Sequence, residues 1–225
     1  MRDTSYVSLT IKHNGCWSEL TNFTYADSLI NVEYSSFGIL KANRITMIRG
    51  RSDEGKSKLR YALDRDSSII NYDLWNVLTT NRYSVFIISM LQDADKAVIS
   101  RLNSKGVLLI NATIKDGLEY YDVLLNIPPK TFVNSLQKSD SRIEIINFTE
   151  RDLNEKNLFK AISRNVGEML LTDNERKVIT RARELGYLNS PRKMRLDDVA
   201  KELGKSKMYV SLSMRSIFRK LSNLV

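Results

Sequence analysis

Apolar and polar residues alternate near the start of the chain and recur at three- and four-residue spacing near its end. Over residues 5–13, Tyr6, Ser8 and Thr10 alternate with Val7, Leu9 and Ile11, which predicts a strand. Asn14-Gly15 is a turn dipeptide suited to a hairpin, with Cys16-Trp17 beginning the return or a short helix. Leu29–Tyr34 reads as another strand. From Arg44 onward a strand, helix, strand order occurs three times. The segments are 45–48, 54–63 and 68–70; then 83–90, 94–102 and 106–114; then 120–127, 129–137 and 142–148. Pro129 suits the first turn of its helix, and Asp116-Gly117 is a hairpin signal. A β-α-β-β-α-β order is the ferredoxin-like pattern, with helices on one face of an antiparallel sheet. The expected fold class is therefore α+β: a ferredoxin-like, antiparallel-sheet α/β sensing or dimerising domain over residues 1–150, followed by an all-α domain. Leu158, Ile162, Val166 and Met169 form one stripe, predicting a connecting helix over 151–170, packed on its own chain or forming a dimer seam.

The last 55 residues read as three helices. Thr172 followed by Glu175 is a capping box, in which hydroxyl and carboxylate each satisfy an orphan backbone N–H. Val178, Ile179, Ala182 and Leu185 then form an apolar stripe, and Gly186 is placed to end the helix. Leu196, Val199, Ala200 and Leu203 mark a short second helix, with Asp197 and Asp198 in the first turn, where the helix dipole favours them. Gly204 can supply a tight turn and Ser206 an N-cap for the third helix. That helix carries Val210, Met214, Ile217 and Leu221 as a seam and Lys207, Ser211, Arg215 and Arg219 as a polar, cationic stripe. A seam that holds the helix and a stripe that meets a polyanion are what a recognition helix needs; the alternative is a plain bundle with a solvated basic face.

Charge separates the two regions. Residues 172–225 hold 13 Lys+Arg and 6 Asp+Glu, a net +7, against +9 for the whole chain. Residues 1–150 hold 18 and 17, a net +1. A phosphate backbone rewards such a local excess through counterion release, so residues 171–225 are expected to bind double-stranded DNA.

The motifs of this segment resemble the archaeal bacterio-opsin-activator type of helix-turn-helix regulator. The matching residues are Leu171-Thr172, Glu175-Arg176, Glu184 to Tyr187, Pro191-Arg192-Lys193, Leu196 to Gly204, Ser206, and Arg219-Lys220-Leu221. The resemblance covers about a quarter of the chain. It implies an archaeal transcription regulator acting with the basal transcription machinery. Lys207, Met208, Ser211, Leu212 and Arg215 are the base-reading candidates. Arg192, Lys193, Lys205, Ser206 and Arg219 are the phosphate candidates. Leu212 departs from the family pattern, which more often has a polar or charged residue there; a leucine can touch a thymine methyl or pack on a partner.

One enzyme-like motif competes. Residues 50–57, GRSDEGKS, fit G-x-x-x-x-G-K-S between a strand and a helix, as in a nucleotide-binding phosphate loop. Asp53 and Glu54 would repel phosphate oxygens there, and they equally suit the start of a helix capped by Ser52. The alternative reading kept is a phosphate-loop nucleotide-dependent switch or enzyme with a DNA-tethering tail. Tyr120, Tyr121 and Trp75 read as core or rim aromatics. The single cysteine, Cys16, leaves no partner for an internal disulfide, and Cys16 with the single histidine, His13, makes at most a partial metal pair. No cofactor is expected. No apolar run approaches a membrane span and the N-terminus does not read as a signal peptide. The expectation is a non-enzymatic, cytoplasmic, sequence-specific regulator that binds DNA as a homodimer, answers a small-molecule effector and has no membrane partner.

Overall fold

The computed structural model describes residues 4–22, 24–34, 37–49, 52–102, 106–154, 157–159, 163 and 170–223. The chain divides into two compact units, Met1–Asn165 and Val166–Val225. Of the stripe expected in a connecting helix, only Leu158 falls among the described residues; Ile162, Val166 and Met169 lie outside them.

The first unit is built on one eight-stranded antiparallel sheet. Its strands are β1 (Ser5–His13), β2 (Thr24–Tyr34), β3 (Ile39–Arg49), β4 (Ile69–Thr79), β5 (Tyr83–Asp93), β6 (Val107–Lys115), β7 (Leu118–Leu125) and β8 (Ile143–Arg151). They lie in the order β4-β5-β3-β2-β6-β7-β1-β8. Three helices, α1 (Ser52–Asp64), α2 (Val98–Leu102) and α3 (Pro129–Ser139), connect strands, and Trp17–Leu20 forms a short 3-10 helix. Leu59, Ala62 and Leu63 of α1, Leu102 of α2, and Phe132 and Leu136 of α3 join Leu9, Ile11, Phe86, Ile88 and Leu125 of the strands in a single core.

The sheet consists of two halves of like topology. In one, the β2-β3 hairpin leads through α1 to β4, and β5 lies between β3 and β4. In the other, the β6-β7 hairpin leads through α3 to β8, and β1 lies between β7 and β8. The halves meet where β2 pairs with β6 at Asp27↔Ile114 and Ser28↔Thr113.

This arrangement corrects one expectation. A four-stranded ferredoxin-like sheet would set β6 beside β3. Instead β2 pairs with β3 from Thr24 to Tyr34 and fills that edge, because a hairpin closes a short loop before a distant strand can arrive. Of the two readings for Cys16-Trp17, the structure has the short helix: Asn14-Gly15 turns the chain into the 3-10 helix rather than a hairpin, and β1 pairs with β7 and β8 on its two sides. The Asp116-Gly117 hairpin forms as expected. Both residues have positive φ, 53° and 78°, the conformation a two-residue hairpin turn requires.

The second unit holds α4 (Asp173–Glu184), α5 (Leu196–Glu202) and α6 (Lys207–Ser222). Its core is Leu171, Val178, Ala182, Val199, Ala200, Val210, Met214 and Ile217, flanked by Ile179, Leu185, Leu196 and Leu203. Apart from Leu171, these are the stripe residues of the sequence, whereas Leu221 of the third stripe stays exposed near the end of α6.

Candidate DNA-binding surface

The α5-turn-α6 geometry is set by local chemistry. Leu203 is the C-cap of α5, and Gly204 takes φ +61°. The Gly204 N–H then donates to the Lys201 carbonyl and the Lys205 N–H to that of Ala200, at 3.1 and 3.0 Å. This is a Schellman ending, which a residue with a Cβ adopts only under strain. The Ser206 hydroxyl accepts the Tyr209 N–H at 3.1 Å and starts α6. Helix α4 closes in the same way: Gly186 has φ +75°, its N–H donates to Arg183 and that of Tyr187 to Ala182.

Glu175 ties α4 to α6. Its carboxylate accepts the Thr172 N–H at 2.8 Å, completing the capping box, the Ser216 hydroxyl at 2.7 Å and the Lys220 ammonium at 2.6 Å. Burial alone would raise its pKa. The Lys220 ammonium, the Thr172 backbone and the Ser216 hydroxyl outweigh that and draw it down to about 2. The capping box was legible in the sequence. The grip on α6 was not, because 45 residues separate Glu175 from Lys220.

Val210, Met214 and Ile217 hold α6 in the core. A helix has 3.6 residues per turn, so positions four apart precess by ~40° at each step. The stripe read as Lys207, Ser211, Arg215 and Arg219 therefore winds around the helix. Ser211 is half-buried, and the centre of the outward side falls on Met208, Leu212, Arg215 and Arg219. Met208 is 72% exposed and Leu212 53%, an unusual position for apolar side chains that nothing in the unit covers. Arg215 and Arg219 are exposed and make no ion pair among the described residues. Lys207 is exposed and pairs with Asp197 of α5 at 2.9 Å.

The remaining candidates lie in the connector between α4 and α5 and just before α6. In the connector, the Arg192 guanidinium lies 4.8 Å from the Tyr187 ring centroid, Lys193 is exposed, and its N–H donates to the Gly186 carbonyl at 3.1 Å. Lys205 rests 5.7 Å from the Tyr209 ring and Ser206 is exposed at the helix start. The unit therefore offers one helix side with two exposed guanidinium groups and two apolar side chains, with Lys205 and Ser206 at the N-terminus of the same helix. Such a surface matches the grooves and phosphates of duplex DNA.

These features define a helix-turn-helix unit. Residues 171–223 match a family model described as HTH DNA binding domain, and the segment is a DNA-binding domain of the bacterio-opsin-activator type, carried by a transcription regulator. None of the curated proteins compared with the chain matches it.

The phosphate-loop motif takes another form. Gly50 and Arg51 lie outside the described residues, but Ser52 to Ser57 are already helical, the opening of α1. Gly55 is buried against β3, where an added Cβ would stand 3.2 Å from Ile48 Cγ2, so this glycine serves close helix-strand packing. Ser57 donates to the Asp53 carbonyl at 2.9 Å and Lys58 pairs with Glu54 at 2.6 Å. Residues 52 to 57 thus form the first turns of α1 rather than an open loop. The helix-turn-helix family points to a regulator rather than an enzyme. Among the described residues, no helix is long and apolar enough to cross a membrane.

Proposed function

We propose that this chain is a sequence-specific, cytoplasmic transcriptional regulator, with α6 in the DNA major groove and the sheet unit sensing an effector and joining two copies. The observation that carries the reading is the outward side of α6, where Met208, Leu212 and Arg215 stand free beside an uncovered arginine one turn on. In this reading Lys207, Met208, Ser211, Leu212 and Arg215 meet base edges, the two apolar side chains against thymine methyl groups. Arg192, Lys193, Lys205, Ser206 and Arg219 meet phosphates. Ser206 spends an oxygen lone pair on the Tyr209 N–H and keeps its O–H for a phosphate oxygen. The bound regulator then acts on the basal transcription machinery.

A base-reading arginine contributes about 1–3 kcal/mol of discrimination. A phosphate contact contributes affinity on any sequence and roughly 0.9 to the salt slope. Arg215→Ala is expected to flatten the preference for operator over random duplex, and Lys193→Ala to weaken both alike. Salt titrations of both variants on both DNAs check this. A parallel loss of the two affinities in Arg215→Ala would remove that residue from the base-reading set.

A further inference from the structure

The only histidine and the only cysteine of the chain meet in the core of the sheet unit. His13 ends β1, Cys16 follows the turn, and Glu119 comes to them from β7. One ligand atom from each, a ring nitrogen, the thiol sulfur and a carboxylate oxygen, lie within 4.8 Å of one another. We propose that His13, Cys16 and Glu119 bind a thiophilic divalent cation of the zinc class, with water as fourth ligand, and that this is a ligand of the sensing unit.

Four observations carry this. The three residues border one cavity of about 30 Å³, close to the volume of one water, so an ion and its water need little rearrangement. Metal–ligand lengths of about 2.0–2.3 Å put tetrahedral donors roughly 3.3–3.8 Å apart, about 1 Å closer than the 4.8 Å limit observed here. Secondly, the imidazole is held between two acids. Its Nδ1 lies 3.7 Å from Glu119 Oε1 and its Nε2 3.7 Å from Asp140 Oδ2. With metal on Nδ1, Nε2–H faces a carboxylate, which is how metal-bound histidines are oriented.

Thirdly, that Nε2 is buried without a hydrogen-bond partner among the described residues, an arrangement that calls for a reason in a core. Drawing the ring towards an ion and Asp140 supplies one. Fourthly, Glu119 is already aimed: the Ser18 hydroxyl donates to Oε1 at 2.6 Å and the Tyr121 hydroxyl to Oε2 at 2.5 Å. The nearby cation is neutralised. Arg44 borders the same cavity, but its Nε donates to Asp27 Oδ1 at 2.7 Å. Binding replaces the Cys16 S–H bond by a sulfur–metal bond and releases the proton to solvent. A nitrogen, sulfur and oxygen donor set selects zinc-class ions over calcium or magnesium, which take oxygen ligands.

The test titrates Co²⁺ and then Zn²⁺ into the purified full chain, prepared without a polyhistidine tag. The expected result is saturation at one Co²⁺ per chain, with an intense near-ultraviolet thiolate band and tetrahedral visible bands, both removed by Zn²⁺. The chain has a single cysteine, so the thiolate band assigns Cys16 without any substitution. Cys16→Ser should abolish that band, and Glu119→Gln should keep it while weakening Zn²⁺ binding at least ~10-fold, the loss seen even for outer-shell partners. If Glu119→Gln does not fold, the wild-type spectrum decides. Absence of stoichiometric binding, or a Co²⁺ complex without the thiolate band, overturns the site and leaves a hydrated polar cluster. The titration involves no DNA, so failure here leaves the DNA-binding reading untouched.

Discussion

At the scale of single residues, the second unit depends on Glu175 and on two glycines. The Glu175 carboxyl sits at about 2 in the folded chain against an ordinary 4.5, so the folded state binds fewer protons than the unfolded state in that interval. Its contribution is complete above pH 4.5 and is lost as pH falls towards 2. The difference is on the order of 3 kcal/mol. Glu175→Gln is expected to lower stability at neutral pH and to flatten its fall between pH 4.5 and 2, as measured by denaturant unfolding of both proteins across that range. An unchanged pH profile would mean that Lys220 and Ser216 do not hold the carboxylate in solution. The glycines give a paired comparison. Both have positive φ, so alanine at either costs roughly 1–2 kcal/mol. At Gly204 a Cβ would meet nothing within 4 Å, whereas at Gly186 it would stand 2.9 Å from the Lys193 Cβ. Thermal melts should rank Gly186→Ala below Gly204→Ala, because only the former must push the connector away.

At the scale of elements, local chemistry was legible and long-range pairing was not. Thr172, Ser206, Gly186 and Gly204 write the ends of their helices into the sequence, since a cap or a left-handed turn needs a particular residue type within four positions. Arg215 and Leu212 were legible as outward residues of α6; the half-burial of Ser211 was not, because four-residue spacing drifts off a helix face. The sheet order was hidden for another reason. The alternation of β1 says that one side is buried, but not that its neighbours are β7 and β8, more than a hundred residues away. Glu119 was missed for the same reason: only the sheet brings it to His13 and Cys16. Strand β4 also carries a consequence at this scale. It is a sheet edge of eleven residues with Asp73 as its one charge and no Lys or Pro, and it exposes Ile70, Trp75, Val77 and Leu78. Natural edges are usually blunted by charges or proline. An edge left open and apolar suits antiparallel pairing with β4 of a second copy about a two-fold axis. Self-pairing in any register not centred on Asp73 sets no like charges opposite each other. Leu78→Lys is expected to turn a dimer into a monomer in sedimentation with an unchanged circular dichroism spectrum. A wild-type chain that sediments as a monomer both free and on DNA would remove the seam altogether.

At the scale of the whole molecule, the two units divide the charge as well as the fold, and this sets what each can do with DNA. Residues 172–225 hold nearly all the net positive charge, +7 of +9, and residues 1–150 are close to neutral. Each unit also has its own core. A fragment of residues 166–225 should therefore bind duplex DNA, and a fragment of residues 1–165 should not. One helix-turn-helix places few side chains on base edges, so the smaller fragment should bind weakly and discriminate poorly between sequences. In the full chain, pairing through the sheet unit would present two α6 helices to half-sites about 34 Å apart, one turn of the duplex. The second helix then binds at the high effective concentration that the joined copies provide. Two predictions separate this arrangement from independent binding. The salt slope of the full chain should be about twice that of the 166–225 fragment, because two sets of phosphates are neutralised. Moving the half-sites apart by half a turn should cost the full chain most of its added affinity and leave the fragment unaffected. Measuring both slopes on one operator and on a spacing series of that operator decides the matter. Equal slopes, or indifference of the full chain to spacing, would mean that each copy reads DNA alone and that the sheet unit serves some purpose other than joining two copies on DNA.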